Sequence, residues 1–518
     1  MLAIDNSLQS ARATTYVTTT VLLLFSLCLV AQTNAPATNE RVPPGRPDPV
    51  SDAGILYREG RLDEAAQRYQ QLLQVQPRSG EAYAGLAHVY LKQKRIQLAK
   101  EIISKGLSVA DCPTIRVAQG EVLFREGKLL EAETVWLGVI NSGQAIARAH
   151  QGLARVSAAA SQYKQAKREI DEAHSLDPND PDILLHWNRS QGVGTGQNDS
   201  HHNCRLATVP DSTETDLLTL KQADQIRGYG LAVALNGQES KLLLDTGAHG
   251  IAIDRKVAQK AGFTKLSDTT LGGFGDQSKS NGYVAIANSV KVGALEFRDC
   301  PVVVVDKRSV LGEDGFIGAD VFQEFLIDLD FPGKKLRLGK LPNVPGEDSG
   351  LPNGLDSDSK MSIVDTGPAY TSVANRIVPA NFSFSFTRVF RFGHMLLIPT
   401  EVGDPPATRL FLIDTGSPRN MFSVNAAREI TKVHGNSRME LRGLSGSVNK
   451  VYGAEKTGIY FGHVQQYAEN QVALDLESIS EDIGTEVSGV LGVFDFRTLD
   501  VRIDYRDGLV DFDFKTSP

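Results

Sequence analysis

The sequence is poor in cysteine and in long apolar runs. Four cysteines, at positions 28, 112, 204 and 300, are scattered over 518 residues. They lack metal-ligand spacing, which excludes a zinc ribbon or finger. Cys28 falls in an N-terminal apolar run, which leaves three. A full disulfide framework is thereby excluded, and a single bridge stays open. A positive charge excess is also lacking: the net charge is −8, which argues against nucleic acid as the main partner. The one strongly apolar stretch is residues 21–31, VLLLFSLCLVA. Eleven residues are short for a membrane span and suit the core of a signal peptide. Arg12 precedes it, and Ala31 and Ala35 are small enough for cleavage. The expectation is an exported protein, periplasmic or extracellular, with residues 1–35 either cleaved or kept as a membrane anchor.

What is present is an ordinary globular composition, 41% hydrophobic and 22% charged. A chain of this length needs more than one core. Residues 36–50 are proline-rich and read as a linker. Beyond it a helical pattern repeats: Ala65, Ala99, Ala132 and Ala166 stand 34, 33 and 34 residues apart, each in a segment with helical spacing of apolar residues. Preceding helices fit the same frame, with Tyr83, Leu86 and Ala87 in one and His150, Leu153 and Ala154 in another. This period resembles that of tetratricopeptide repeats, about four of them over 51–182. The resemblance implies an all-α solenoid with a concave face for a protein or peptide partner. A spacer or dimerisation arm is the alternative.

Residues 183–224 are rich in Gly, Ser, Asn and Asp and read as a second linker. His201, His202 and Cys204 lie there, a lone cluster read as solvated rather than as metal ligands. From 225 onward the texture changes to short β runs with glycine-rich turns.

Three Asp-Thr-Gly triplets stand in this half, at Asp245, Asp365 and Asp414. Two share a framework. Asp245 and Asp414 each follow an apolar hairpin strand and precede a short helical segment. Each is followed by two apolar residues and a glycine: Phe316-Ile317-Gly318 lies 71 positions on, and Val490-Leu491-Gly492 lies 76 on. Glycine-rich segments fall between, with Gly272, Gly273 and Gly275 in the first half and Gly443 and Gly446 in the second. Asp365 has neither the preceding hairpin nor a closing segment of its own, and reads as a chance match in the connecting region. Asp306, Asp328, Asp330, Asp475, Asp500 and Asp504, near strand ends, read as solvated surface.

The doubled framework resembles the retropepsin-like aspartyl proteases, in particular bilobal members and their bacterial relatives. It covers about 225–515. The expected architecture is multidomain, an all-α repeat solenoid followed by a mainly-β bilobal protease. Lobe 1 would span 225–341, an inter-lobe linker 342–380 and lobe 2 381–518. The resemblance makes Asp245 and Asp414 a catalytic pair. Two close carboxylates cannot both ionise readily, so one serves as base and the other as acid; this enzyme class is the general example of that effect. It gives Thr246 and Thr415 the task of tying the loops together, and Gly247 and Gly416 that of admitting backbone N–H groups. Ser417, where lobe 1 has Ala248, is expected to add an outer hydrogen bond to its aspartate. The glycine-rich segments become flaps, and the closing segments pack behind the loops. The implied activity is hydrolysis of peptide bonds in a polypeptide substrate, with neither metal nor cofactor. Two alternatives stand beside it. One is a weak or inactive protease fold that binds or scaffolds through its repeats; the other pairs each half with one from a second chain.

Overall fold

The computed structural model describes residues 49–144, 146–191, 204–207, 212–222, 225–271, 280–305, 313–343, 370–376, 378, 385–435, 441–443, 446–448, 450–468 and 471–514. The apolar run at 21–31, His201, His202, the flap candidates Gly272, Gly273 and Gly275, and Asp306 and Asp365 lie outside them. Among the described residues, no helix is long and apolar enough to cross a membrane.

Among the described residues nine helices form the N-terminal region: α1 Pro49–Arg58, α2 Leu62–Val75, α3 Gly80–Lys92, α4 Ile96–Val109, α5 Pro113–Arg125, α6 Leu129–Asn141, α7 Ala147–Ala159, α8 Tyr163–Leu176 and α9 Pro181–Ser190. They stack as antiparallel pairs. The periodic alanines are the contact points: Ala65, Ala99 and Ala132 are fully buried and Ala166 nearly so. Small residues let the larger ones fill the space between helices. The Trp136 indole lies between α5 and α7, where a Cβ on Gly120 or Gly152 would fall 2.4 or 2.5 Å from its ring. The helical region extends to Ser190, past the expected boundary at 182.

Each β lobe is built around a crossed loop. In lobe 1 the strand Gln238–Asp245 pairs in parallel with the closing strand Gly315–Gly318, which pairs antiparallel with Ile251–Asp254 on its other side. Lobe 2 repeats this: Ala407–Asp414 runs parallel to Gly489–Gly492, which pairs antiparallel with Met421–Ser423. The register is the same, with Gly318 opposite Asp245 and Gly492 opposite Asp414. Both aspartate strands are second strands of hairpins. Both third strands run into short helices, Arg255–Lys260 and Val424–Ile430, capped by the Asp254 and Ser423 side chains. A third sheet joins the lobes by pairing Phe325–Asp330 with Leu499–Asp504. One apolar core runs through both lobes. A second is shared between lobe 2 and the repeats.

Two expectations are corrected. The linker over 183–224 contains strands: Arg205–Leu206, Ser212–Asp216 and Leu218–Gln222 all join sheets of the β half. Ser212–Asp216 is polar because it is an edge strand, held by charge pairing: Glu214 stands opposite Arg337 and Asp216 opposite Lys335. Cys204 is likewise tied in, by a disulfide to Cys300; Cys112 is free and buried. The aspartates read as surface divide. Asp475 is exposed, but Asp330, Asp500 and Asp504 are buried in the sheet that joins the lobes. Arg337 holds Asp330 at 2.8 Å. Burial pushes the Asp504 carboxyl up to about 6.

Candidate active site

The apolar strand leading into each triplet fixes its aspartate at the seam between lobes. Leu242 and Leu244 are buried behind Asp245, and Phe411 and Ile413 behind Asp414. The two carboxylates meet across the seam and share a hydrogen bond. Asp414 is the more enclosed, 6% exposed, while Asp245 is half-buried.

The threonines make a reciprocal lock. The Thr246 amide donates to Thr415 Oγ1 at 3.0 Å, and the Thr415 amide to Thr246 Oγ1 at 3.0 Å. Each hydroxyl then donates across the seam, Thr246 to the Ile413 carbonyl at 2.8 Å and Thr415 to the Leu244 carbonyl at 2.9 Å. All four bonds are buried, where an unmade partner is costly. The lock therefore fixes one aspartate strand against the other.

Gly247 and Gly416 sit against the opposite carboxylate. A Cβ on Gly416 would come within 2.3 Å of Asp245, and one on Gly247 within 2.9 Å of Asp414. No side chain fits there. Backbone donors occupy the space instead: the Gly247 amide bonds Asp245 Oδ1 at 2.8 Å and the Ser417 amide bonds Asp414 Oδ1 at 2.9 Å. The Gly416 amide serves both carboxylates.

The Ser417 hydroxyl does not do what the sequence suggested. It donates to the Arg419 carbonyl at 3.0 Å, and the bond to Asp414 comes from the Ser417 amide. Burial, then the charge of Asp245, raises the Asp414 carboxyl well above its ordinary value. Burial raises Asp245 too, but the hydrogen bond from Asp414 and backbone amides oppose it. The two carboxyls titrate as one unit.

Of the closing segments, Ile317, Val490 and Leu491 are fully buried behind the loops, whereas Phe316 is half-buried. Gly443 and Gly446 face each other across a hairpin, Leu441–Gly443 with Gly446–Val448, that pairs only with itself among the described strands.

Other residues at the site were missed by the sequence reading. His249 bonds Asp320 through Nδ1, and Asp320 also accepts the Gly250 amide at 3.0 Å. His394, from a lobe 2 hairpin turn, stacks on His249 with ring centroids 4.8 Å apart and reaches the Gly247 carbonyl at 3.2 Å. In lobe 2 the Asn420 side chain ties the loop to its closing strand through the Gly492 amide, 2.8 Å. His249 and Asn420 follow the triplets closely enough to have drawn notice; His394 has no local signal, because only the fold brings it to the loop. Among the described residues no cluster could hold a metal ion.

Two crossed loops with facing carboxylates and reciprocal threonines define the bilobal aspartic-protease fold. The comparisons agree at the level of domains. Residues 231–321 match the family model described as aspartyl protease, and residues 56–116 match the one described as tetratricopeptide repeat. The chain thus carries an aspartyl protease domain preceded by tetratricopeptide repeats. No curated protein matches it in sequence. Among solved structures, an aspartic proteinase from Irpex lacteus is similar at 11% identity and a TM-score of 0.35, over 59% of this chain and 98% of that one. Pseudomonas aeruginosa pilF is similar at 22% identity and a TM-score of 0.23, over 27% of this chain and 65% of that one.

Proposed function

We propose that this protein is an aspartic endopeptidase acting on unfolded or extended polypeptide through Asp245 and Asp414. What carries the reading is the hydrogen-bonded contact between two carboxylates from separate halves of the chain. The pair shares one proton, and in the reactive form Asp414 carries it while Asp245 carries the charge. A water between them gives its proton to Asp245 as its oxygen adds to the peptide carbonyl carbon. Asp414 protonates the carbonyl oxygen. As the diol collapses, the amine nitrogen takes the proton from Asp245 and the C–N bond breaks. A diol hydroxyl returns a proton to Asp414. The hairpin that carries Gly443 and Gly446 would close over the substrate.

The place of action proposed is an exported, oxidising compartment. The Cys204–Cys300 disulfide supports it, together with the apolar run at 21–31. The test of activity uses the full chain and an unfolded protein substrate. Cleavage should occur and should be blocked by a peptide whose scissile carbonyl is replaced by a secondary alcohol, a mimic of the tetrahedral state. Cleavage that ignores this mimic would contradict the proposal.

A further inference from the structure

The two lobes repeat one framework but not one surrounding. Four residues before each aspartate, lobe 1 has Lys241, exposed, and lobe 2 has Leu410, 3% exposed. The difference lies in what covers them. Along the Asp414 strand, Phe411 and Ile413 face the core shared by the two lobes. Leu410 and Leu412 face the other way, into one apolar cluster with Phe124 and Trp136 of the repeats. Val490, opposite Leu412 in the closing strand, joins the same cluster and is fully buried; its lobe 1 counterpart Phe316 is half-buried.

Polar contacts frame this cluster on both sides. On one, Thr485 donates to the Phe124 carbonyl at 2.5 Å, the Glu486 amide to the Arg125 carbonyl at 2.9 Å, and Lys94 pairs with Glu481. On the other, the end of the inter-lobe linker lies on the repeats. Buried Glu133 accepts from the Tyr370 hydroxyl at 3.0 Å, the Ser372 hydroxyl at 2.9 Å and the Val373 amide at 2.7 Å. Gln165 exchanges both amide bonds with the Thr371 backbone, as a neighbouring strand would. Arg376 donates to the carbonyl of Ala160 in the repeats and to those of Val389 and Gly508 in lobe 2.

The inner face of the solenoid is meanwhile knitted to itself. Tyr57 of α1 donates to Asp182 of α9 at 3.3 Å, Lys92 of α3 binds Asp182, Arg148 of α7 binds Asp180, and Arg155 binds Glu121 of α5. A peptide ligand lying along that face would have to displace these pairs.

We propose that the repeat domain is an intramolecular brace for the Asp414 strand: its partner is lobe 2 of the same chain, and its docking there sets how firmly one carboxylate of the pair is held. The role at the site rests on the proposed function; the docking itself does not. A misplacement of about 1 Å at a reacting group costs on the order of 100-fold in rate, so a loosened brace should register in kcat more than in KM.

The test replaces Leu410 by the residue lobe 1 tolerates at that place. In full-length Leu410→Lys, hydrogen–deuterium exchange should rise at least tenfold in peptides covering 407–414 and 489–492. It should stay unchanged in 238–245 and 315–318, and kcat should fall about 100-fold with KM little altered. Lys241→Leu, the mirror change, should alter neither. Unchanged exchange in Leu410→Lys would overturn the proposal, as would uniform loosening of both lobes. Exchange needs no turnover, so an inactive wild type would sink the proposed function while leaving the brace to be judged. Should Leu410→Lys not fold, a site for a sequence-specific protease placed between residues 192 and 203 decides. After cleavage the repeats should co-elute with the protease part, and should leave only in denaturant. Free separation in buffer, with exchange of 407–414 unchanged, would overturn it.

Discussion

At the scale of single residues, the site depends on burial more than on the identity of near neighbours. Asp414 is raised first by burial and then by Asp245. Its folded form therefore holds a proton that the unfolded chain, near the ordinary value of 3.8, releases. With more protons bound when folded, stability falls as pH rises from that value through the raised one. Each unit by which the pKa is raised costs about 1.4 kcal/mol once the pH lies above both. Asp414→Asn should remove this slope and melt higher than the wild type at neutral pH, as thermal unfolding from pH 4 to 8 would record. A steeper slope in the variant would contradict the account. The threonine lock gives a second prediction. Thr246→Val leaves the buried Thr415 amide and Ile413 carbonyl unpaired, costing about 1–3 kcal/mol for each group. Thr246→Ser keeps both bonds and should lose far less. Denaturant titration distinguishes them.

At the scale of elements, the crossed loops were legible because each combines signals that reinforce one another: an apolar strand, a triplet, a capped short helix and a closing apolar-apolar-glycine strand. Asp365 shares the triplet alone. The repeats were legible from the spacing of their alanines. What escaped was held by partners distant in sequence. Ser212–Asp216 carries no apolar alternation, and its reason to be a strand is the row of cations 120 residues away on Lys335–Lys340. Asp504 looked like surface because nothing local shows that the joining sheet buries it. Ser417 was given the wrong bond for a related reason: the sequence says which groups are near the aspartate, not which acceptor the hydroxyl will turn to. The closing strands should matter according to their burial. Leu491→Ala, in a fully buried position, should destabilise by about 2–5 kcal/mol. Phe316→Ala, half-buried, should cost less, as unfolding midpoints would show.

At the scale of the whole molecule, the parts are not independent modules. The third sheet joins the lobes, the threonines lock their loops, and the core of lobe 2 continues into the repeats. The pair of aspartates is formed within one chain, so no second copy is required, and sedimentation should show activity residing in a monomer. A protease part expressed without residues 1–203, which keeps the Cys204–Cys300 disulfide, would expose Leu410, Leu412 and Val490 to water. Such a fragment should aggregate or exchange rapidly in lobe 2 while lobe 1 stays ordered; a stable, fully protected fragment would contradict the shared core.

The central claim is that Asp245 and Asp414 act as one catalytic unit. The direct measurement is cleavage of a mixed peptide library by the full-length wild type and by Asp245→Asn and Asp414→Asn, each confirmed folded by its exchange pattern. The account predicts cuts by the wild type and none above background by either variant. Undiminished cleavage by either one would contradict it.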